Sequence, residues 1–269
     1  LFVIKANYMP EDASNILSVV TRAGLEAGNA IMDIYSFDFE HTIQIKKDAT
    51  PVTMADKKAS DIITFHLSGL IEDCPVITEE SDIPNFKIRQ KLHRYWLVDP
   101  LDGTKEFIQR NGDFTVNIAL IEQGKPVFGW VSEPVTGRYY YAFKSKGAYC
   151  QANGDIKPIH CSPFSPNQKN LRILRSRSHF SAKADEYISQ FNSPVIIARG
   201  SSIKMMLIAS GQADIYPCLS RTMEWDTAAS QIILEEAGGE LTGMYTGLPL
   251  EYNKKELSNP FFIATGKKN

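Results

Sequence analysis

The stretch Tyr95-Trp96-Leu97-Val98-Asp99-Pro100-Leu101-Asp102-Gly103-Thr104 places four apolar residues directly before two carboxylates spaced three apart. A short unbroken apolar run of this kind reads as a buried β-strand, so Asp99 and Asp102 are expected to emerge at its end. Pro100 fixes the backbone between them, and Gly103 permits a turn that other residues resist. Free amides opening the segment Gly103 to Ile108 could face an anion. Two hard oxygen ligands, with the Leu101 carbonyl as a third, suit Mg²⁺, which prefers carboxylate and water and leaves room for a substrate phosphate. The same residues also fit an Asp-rich turn with a helix N-cap, and spacing alone does not choose between the two.

Upstream of this block, Ile16, Leu17, Val20, Leu25, Ala27, Ile31 and Ile34 recur at helical spacing, which predicts a long amphipathic helix over 12–35. A short strand over 42–46, a polar loop over 47–51 and a second helix from about Asp56 to Leu67 follow. Val76-Ile77 is another brief apolar run ending in acidic residues. Downstream, 114–121, 127–132 and 138–143 read as strands separated by Gly/Pro turns. After Lys157-Pro158 strands and helices alternate: 171–174, 181–191, 195–198, 203–209, 214–216, 226–237 and 261–264. This describes an α+β unit over 1–158 and a smaller α/β unit over 159–269, with the boundary in Pro158 to Gln168 and a site expected in the cleft between them.

The composition is ordinary for a globular protein: 269 residues, 43% hydrophobic, 22% charged and a net charge of −2. That balance argues against a partner such as polymeric nucleic acid, which calls for a basic surplus. No run approaches the roughly 18 apolar residues of a membrane span. The start Leu1-Phe2-Val3-Ile4-Lys5 has no signal-peptide layout, so a cytoplasmic location is expected, with peripheral membrane association left open. Cys74, Cys150, Cys161 and Cys218 form no C-x-x-C pair and read as free thiols. Dinucleotide, P-loop, zincin and serine-hydrolase motifs are all missing from the sequence.

Three further acidic positions stand out. Glu79-Glu80 follows Val76-Ile77-Thr78, Asp226 follows Trp225 at a helix start, and Asp56 closes Val52-Thr53-Met54-Ala55-Asp56. A solvated loop pair and two helix N-caps are the plain alternatives. In order along the chain, Val52-Thr53-x-Ala-Asp56, Thr78-Glu79-Glu80-Ser81, Trp96 to Phe107 and Trp225-Asp226-Thr227-Ala228-Ala229 resemble the motifs of the lithium-sensitive, inositol monophosphatase-like phosphatases. Asn111-Gly112, Phe114 to Leu120 and Gly124-Lys125-Pro126 make the longest block similar to the CysQ-type 3'(2'),5'-bisphosphate nucleotidase branch of that family.

The resemblance implies a layered αβαβα sugar-phosphatase-like fold. It implies that Glu79, Asp99, the Leu101 carbonyl, Asp102 and Asp226 hold two or three Mg²⁺ ions, with Glu79 also counted among the catalytic groups. Thr104, supported by Asp56, would orient and deprotonate the attacking water. The substrate would be a small nucleotide, adenosine 3',5'-bisphosphate, converted to AMP and phosphate as a by-product of sulfate activation is cleared, and Li⁺ would inhibit. Substrate contacts would come from Leu101, Asp102, Gly103, Thr104, His179, Gly200, Ser201, Lys204 and Asp226. The basic run Arg172 to His179 and the turn Gly200-Ser201-Ser202 also read as a strand edge and a capped helix start.

The sequence departs from the branch at Cys218, where an Arg is expected after Asp214-Ile215-Tyr216-Pro217, and at Ser230, where Gly is expected. Arg221, three residues beyond Cys218, is the candidate to replace that charge. The rival readings are an inositol- or sugar-phosphate phosphatase and a non-catalytic, cation-dependent nucleotide-binding protein.

Overall fold

The computed structural model describes residues 11–36, 51–179 and 181–269. The strand expected over 42–46 and most of the loop after it lie outside the described residues. The elements are α1 (Glu11–Ser36), α2 (Pro51–Leu67), β1 (Val76–Thr78), α3 (Phe86–Arg89), β2 (Arg94–Asp102), α4 (Thr104–Ile108), β3 (Thr115–Glu122), β4 (Lys125–Glu133), β5 (Arg138–Phe143), β6 (Ala148–Ala152) and β7 (Asp155–Ile159). They continue with β8 (Pro163–Phe164), β9 (Arg172–Ser176), α5 (Ala182–Ile188), β10 (Val195–Arg199), α6 (Ile203–Ala209), β11 (Ile215–Cys218), α7 (Glu224–Glu236), β12 (Glu240–Gly243), β13 (Phe262–Thr265) and β14 (Lys267–Lys268).

Strands β1 to β7 form one sheet in sequence order, and a second has the order β10-β9-β11-β13-β12. The unbroken apolar run of β2 has a direct cause: both faces of its sheet are covered. Trp96 and Val98 join Val116, Ile118, Phe128 and Trp130 in the core against α1 and α2. Tyr95 and Leu97 alternate onto the other face and pack with Met206, Ile232 and Ile233 of α6 and α7. The second sheet closes the far side of those two helices, and Ile173, Ile188 and Ile215 join its outer face to α5. The result is the five-layer αβαβα arrangement the resemblance implied.

Several details differ from the sequence reading. Helix α2 begins at Pro51, five residues early, because proline suits the first helical position, where its missing N–H would have no partner. Asp56 therefore lies within the helix and is not its cap. Strands β6 and β7 were not anticipated, since most of their residues are partly or fully exposed and give no apolar alternation. Their signature was the turn Asn153-Gly154, whose two positive φ values of 53° and 86° suit a two-residue hairpin.

Candidate active site

β1 and β2 pair in parallel, with Thr78 opposite Val98, and the Glu79 N–H donates to the Val98 carbonyl at 3.2 Å. Both chains therefore leave the same edge of the sheet, and Glu79 comes out beside Asp99. A spacing of three would send Asp99 and Asp102 to opposite faces of a regular strand. Asp99 pairs with Asn117 and Asp102 with Thr115, however, so β2 spends three steps where β3 spends two. The extra residue is a bulge at Pro100-Leu101, where proline has no N–H to give the ladder, and it returns both carboxylates to one side. The strand thus runs on through Asp102 and does not stop before Asp99. Gly103 follows with φ 95°, a left-handed conformation that starts α4 at Thr104.

From the opposite wall, α7 supplies Asp226. The helix begins at Glu224, two residues earlier than expected, so Asp226 is its third residue and not an N-cap. Its carboxylate turns back to accept the Met223 N–H at 2.8 Å. Ligand oxygens of Glu79, Asp99 and Asp226 all lie within 4.8 Å of one another. Asp102 stands in the same cavity, where its Oδ2 accepts the Ser202 N–H at 2.7 Å.

Crowded acids in a shielded place resist ionisation. Burial raises Asp99 well above the usual carboxylate range, and Asp102, Glu79, Asp226 and Asp56 add repulsion. Burial, then Asp102, does the same to Asp226. Glu79 is pushed up to about 7 by burial, Asp102 and Glu80, and Asp56 to about 8 by burial, Glu80 and Glu79. Asp102 is raised less freely, because Lys204, the Ser202 N–H and Asn117 favour its charge against burial. A divalent cation relieves both desolvation and repulsion, and an all-oxygen donor set suits Mg²⁺. The residues present therefore fit the ion that the resemblance implies.

The cavity encloses about 290 Å³. Of the residues singled out in the sequence, Glu79, Asp99, Leu101, Asp102, Gly103, Thr104, His179, Ser201, Lys204, Arg221 and Asp226 line it. Asp56 stands behind the lining, 7% exposed, and no hydrogen bond joins it to Thr104 among the described residues. Gly200 also stands behind it. Its Cα leaves room for its neighbours, since a Cβ there would lie 2.5 Å from Glu106 Cγ and 2.6 Å from the Asp113 carbonyl oxygen. The buried Lys204 ammonium donates to the Ser201 carbonyl at 2.6 Å and sits 5.1 Å from the centre of the Tyr216 ring. Burial and Lys105 lower the His179 pKa. Cys218 is buried beside Ser220, outside the lining, whereas Arg221 is exposed and reaches the cavity. The Ser230 hydroxyl is occupied within α7, where it donates to the Thr227 carbonyl at 3.1 Å.

Sequence reasoning missed several groups here. Asp113 accepts the Gly200 N–H at 3.0 Å and pairs with Arg177 and Arg199, each at 2.9 Å. The Ser202 hydroxyl lies 2.8 Å from Thr115 Oγ1 and 2.7 Å from Asn117 Oδ1. These contacts span 64 to 87 residues of chain, and no local pattern announces them.

Comparison with known proteins agrees with this geometry. The profile of the inositol monophosphatase family matches residues 12–266. The 3'(2'),5'-bisphosphate nucleotidase CysQ of Salmonella typhimurium is 43% identical over 251 residues, covering 93% of this chain and 99% of the relative. Its counterpart in Escherichia coli K12 is 42% identical, covering 92% and 98%. The crystal structure of CysQ from Bacteroides thetaiotaomicron, a bacterial inositol monophosphatase family member, superposes with a TM-score of 0.83 at 36% identity, covering 96% and 99%. An inositol monophosphatase from Zymomonas mobilis shares the fold at a TM-score of 0.77 and 24% identity, covering 96% and 95%. With its matching profile, a shared five-layer fold and an acidic cage at the edge of the first sheet, the chain belongs to the inositol monophosphatase family.

Proposed function

We propose that the chain hydrolyses the 3'-phosphate of adenosine 3',5'-bisphosphate to AMP and phosphate in a Mg²⁺-dependent reaction. The observation that carries this reading is the cage of Glu79, Asp99 and Asp226, within 4.8 Å of one another, facing a buried ammonium at Lys204 across one cavity. The relatives at 43% and 42% identity support the nucleotide as substrate.

Glu79, Asp99, the Leu101 carbonyl, Asp102 and Asp226 would hold two or three ions. Bound Mg²⁺ supplies charge neutralisation for the phosphoryl group and a more acidic water. The Thr104 hydroxyl, at the start of α4, orients the attacking water, with Asp56 as the acidic support behind it. Lys204 spends one donor on Ser201 and turns its remaining positive charge to the phosphate oxygens. His179, Ser201 and Arg221 complete the wall around the nucleotide, and Asp113 holds the Gly200 turn in place behind them. Leaving and attacking oxygens are then separated by the phosphoryl group with no covalent enzyme intermediate.

In this reading the units 1–158 and 159–269 meet at the cleft, the first bearing most of the cage and the second the substrate wall. Li⁺ inhibits by competing for an ion position, and the enzyme works in the cytoplasm on a by-product of sulfate activation. Among the described residues no helix is long and apolar enough to cross a membrane. The test is phosphate release from adenosine 3',5'-bisphosphate and from inositol 1-phosphate at matched concentrations, with and without Mg²⁺. Preference for the nucleotide, abolished without Mg²⁺, supports the reading; preference for inositol 1-phosphate, or no Mg²⁺-dependent release, overturns it.

A further inference from the structure

Glu106 is the third residue of α4, lines the cavity and is only 3% exposed. A Glu at this position commonly reaches back to the N-cap N–H. Here it makes no such bond, and no hydrogen bond or ion pair joins its carboxylate to any described residue. The close approach of Gly200 holds the side chain, since a Cβ at that position would fall 2.5 Å from Glu106 Cγ. Glu106 lines the same cavity as Asp102 of the acidic group and as His179 and Lys204 on the cationic wall.

A buried carboxylate without a donor is costly once water leaves. Glu106 lines the cavity, so a substrate that takes the place of solvent there must bring a donor. Phosphate oxygens are acceptors and carry like charge, so they do not qualify. A ribonucleotide offers two neutral donors, a sugar hydroxyl and the exocyclic amine of the base. Glu106 and Asp102 line one cavity, and with the phosphate ester held at the acidic group the hydroxyl on the next sugar carbon is, by its attachment, the nearer of the two donors.

We propose that Glu106 accepts a hydrogen bond from the hydroxyl on the carbon adjacent to the cleaved phosphate ester, and that it makes the enzyme selective for ribo- over deoxyribonucleotides. The proposal rests on the nucleotidase reading and assigns a substrate group to a residue outside the cage. The measurement is kcat/KM for adenosine 3',5'-bisphosphate and for its 2'-deoxy counterpart on the wild type, Glu106→Gln and Glu106→Ala, each checked for a cooperative melt. The wild type should favour the ribonucleotide by roughly tenfold or more, as loss of a hydrogen bond to a charged group requires. Glu106→Gln should narrow that ratio, and Glu106→Ala should bring it to within about twofold of unity, an effect carried by the ribonucleotide. An unchanged ratio in either variant, or a wild type indifferent to the 2'-hydroxyl, overturns the proposal. So does a variant whose loss is restored by raising Mg²⁺ alone, which would make Glu106 an ion ligand. A wild type that turns over neither nucleotide fails the nucleotidase reading itself, a result distinct from all of these.

Discussion

Replacing Asp113 by Asn tests whether one carboxylate holds the substrate wall against the cage. Asp113 follows α4, its side chain is 3% exposed, and its three partners all come from the second half of the chain: Arg177 after β9, Arg199 at the end of β10 and the Gly200 N–H. Asn keeps the shape, removes the charge and turns an N–H toward groups that are themselves donors. The two arginines are 38% and 44% exposed, so they can turn to water, and their pairs count at the surface value of roughly 0–1 kcal/mol each. The Gly200 N–H sits in a buried bond and cannot rehydrate, which costs about 1–3 kcal/mol. The total is about 1–5 kcal/mol, or a fall in Tm of roughly 2–20 °C for a chain of this size. The same turn presents Ser202, whose N–H supports Asp102, so the Mg²⁺ concentration needed for half-maximal phosphate release should also rise. Thermal melts with Mg²⁺ titrations of activity read both effects. Arg177→Met and Arg199→Met should each be milder than Asp113→Asn. An Asn variant that melts within about 1 °C of the wild type and keeps its Mg²⁺ requirement would refute the reasoning.

Asp102→Asn removes one anionic ligand while keeping shape, so activity at ordinary Mg²⁺ should fall at least about a hundredfold in a protein that still folds; near-normal turnover would sink the cage reading. Thr104→Ala leaves the carboxylates untouched, so turnover should collapse while Mg²⁺ binding, followed by calorimetry, persists. Glu79 and Asp56 are pushed up to about 7 and about 8, so across the interval from about pH 4 to about pH 8 the metal-free native state holds more protons than the unfolded chain. Stability without metal should therefore fall as pH rises through that interval, and Mg²⁺ should bind more tightly at its upper end; denaturant curves in chelator that rise with pH would contradict this. Arg221→Ala should raise KM for adenosine 3',5'-bisphosphate by roughly tenfold and leave substrates with one phosphate nearly unchanged, whereas equal losses on both would assign Arg221 to scaffold or chemistry.

The parts of the molecule that could be read from sequence are those whose geometry is local. Tyr95 to Val98 announced a strand because covered faces demand apolar side chains on both sides. Helix α1 announced itself because one face had to be apolar at helical spacing. The cage was half legible: Asp99 and Asp102 are close in the chain, but their common direction depends on the bulge at Pro100-Leu101, and the meeting with Glu79 depends on the parallel register of β1 and β2. Periodicity carries no information about register between distant strands. The family motifs supplied it because they mark residues that meet at one place. Asp113 stayed hidden for the same reason, since its partners arrive from across the fold; Ser202 was visible only as part of the turn Gly200-Ser201-Ser202, without its contacts to Asp102, Thr115 and Asn117; and Glu106 stayed hidden because at the start of a helix it looks like an ordinary capping glutamate.

The exchange at Cys218 shows how the two halves constrain each other. The position lies on β11, buried, on the strand that also carries Tyr216, whose ring centre is 5.1 Å from the Lys204 ammonium. An Arg there would set a second buried cation near Lys204, tolerable only while a phosphate lies between them. A thiol removes that repulsion in the free protein and lets Lys204 rest on the Ser201 carbonyl and the Tyr216 ring. Under the proposed function the positive charge would instead come from Arg221, which is exposed, lines the cavity and is screened by water until substrate arrives. On that reading, binding energy for the uncleaved phosphate would be moved from a buried strand to a loop. A double substitution, Cys218→Arg with Arg221→Ala, should then recover much of the KM lost in Arg221→Ala alone while lowering the Tm of the substrate-free protein; failure to recover any of it would mean that the two positions serve different groups.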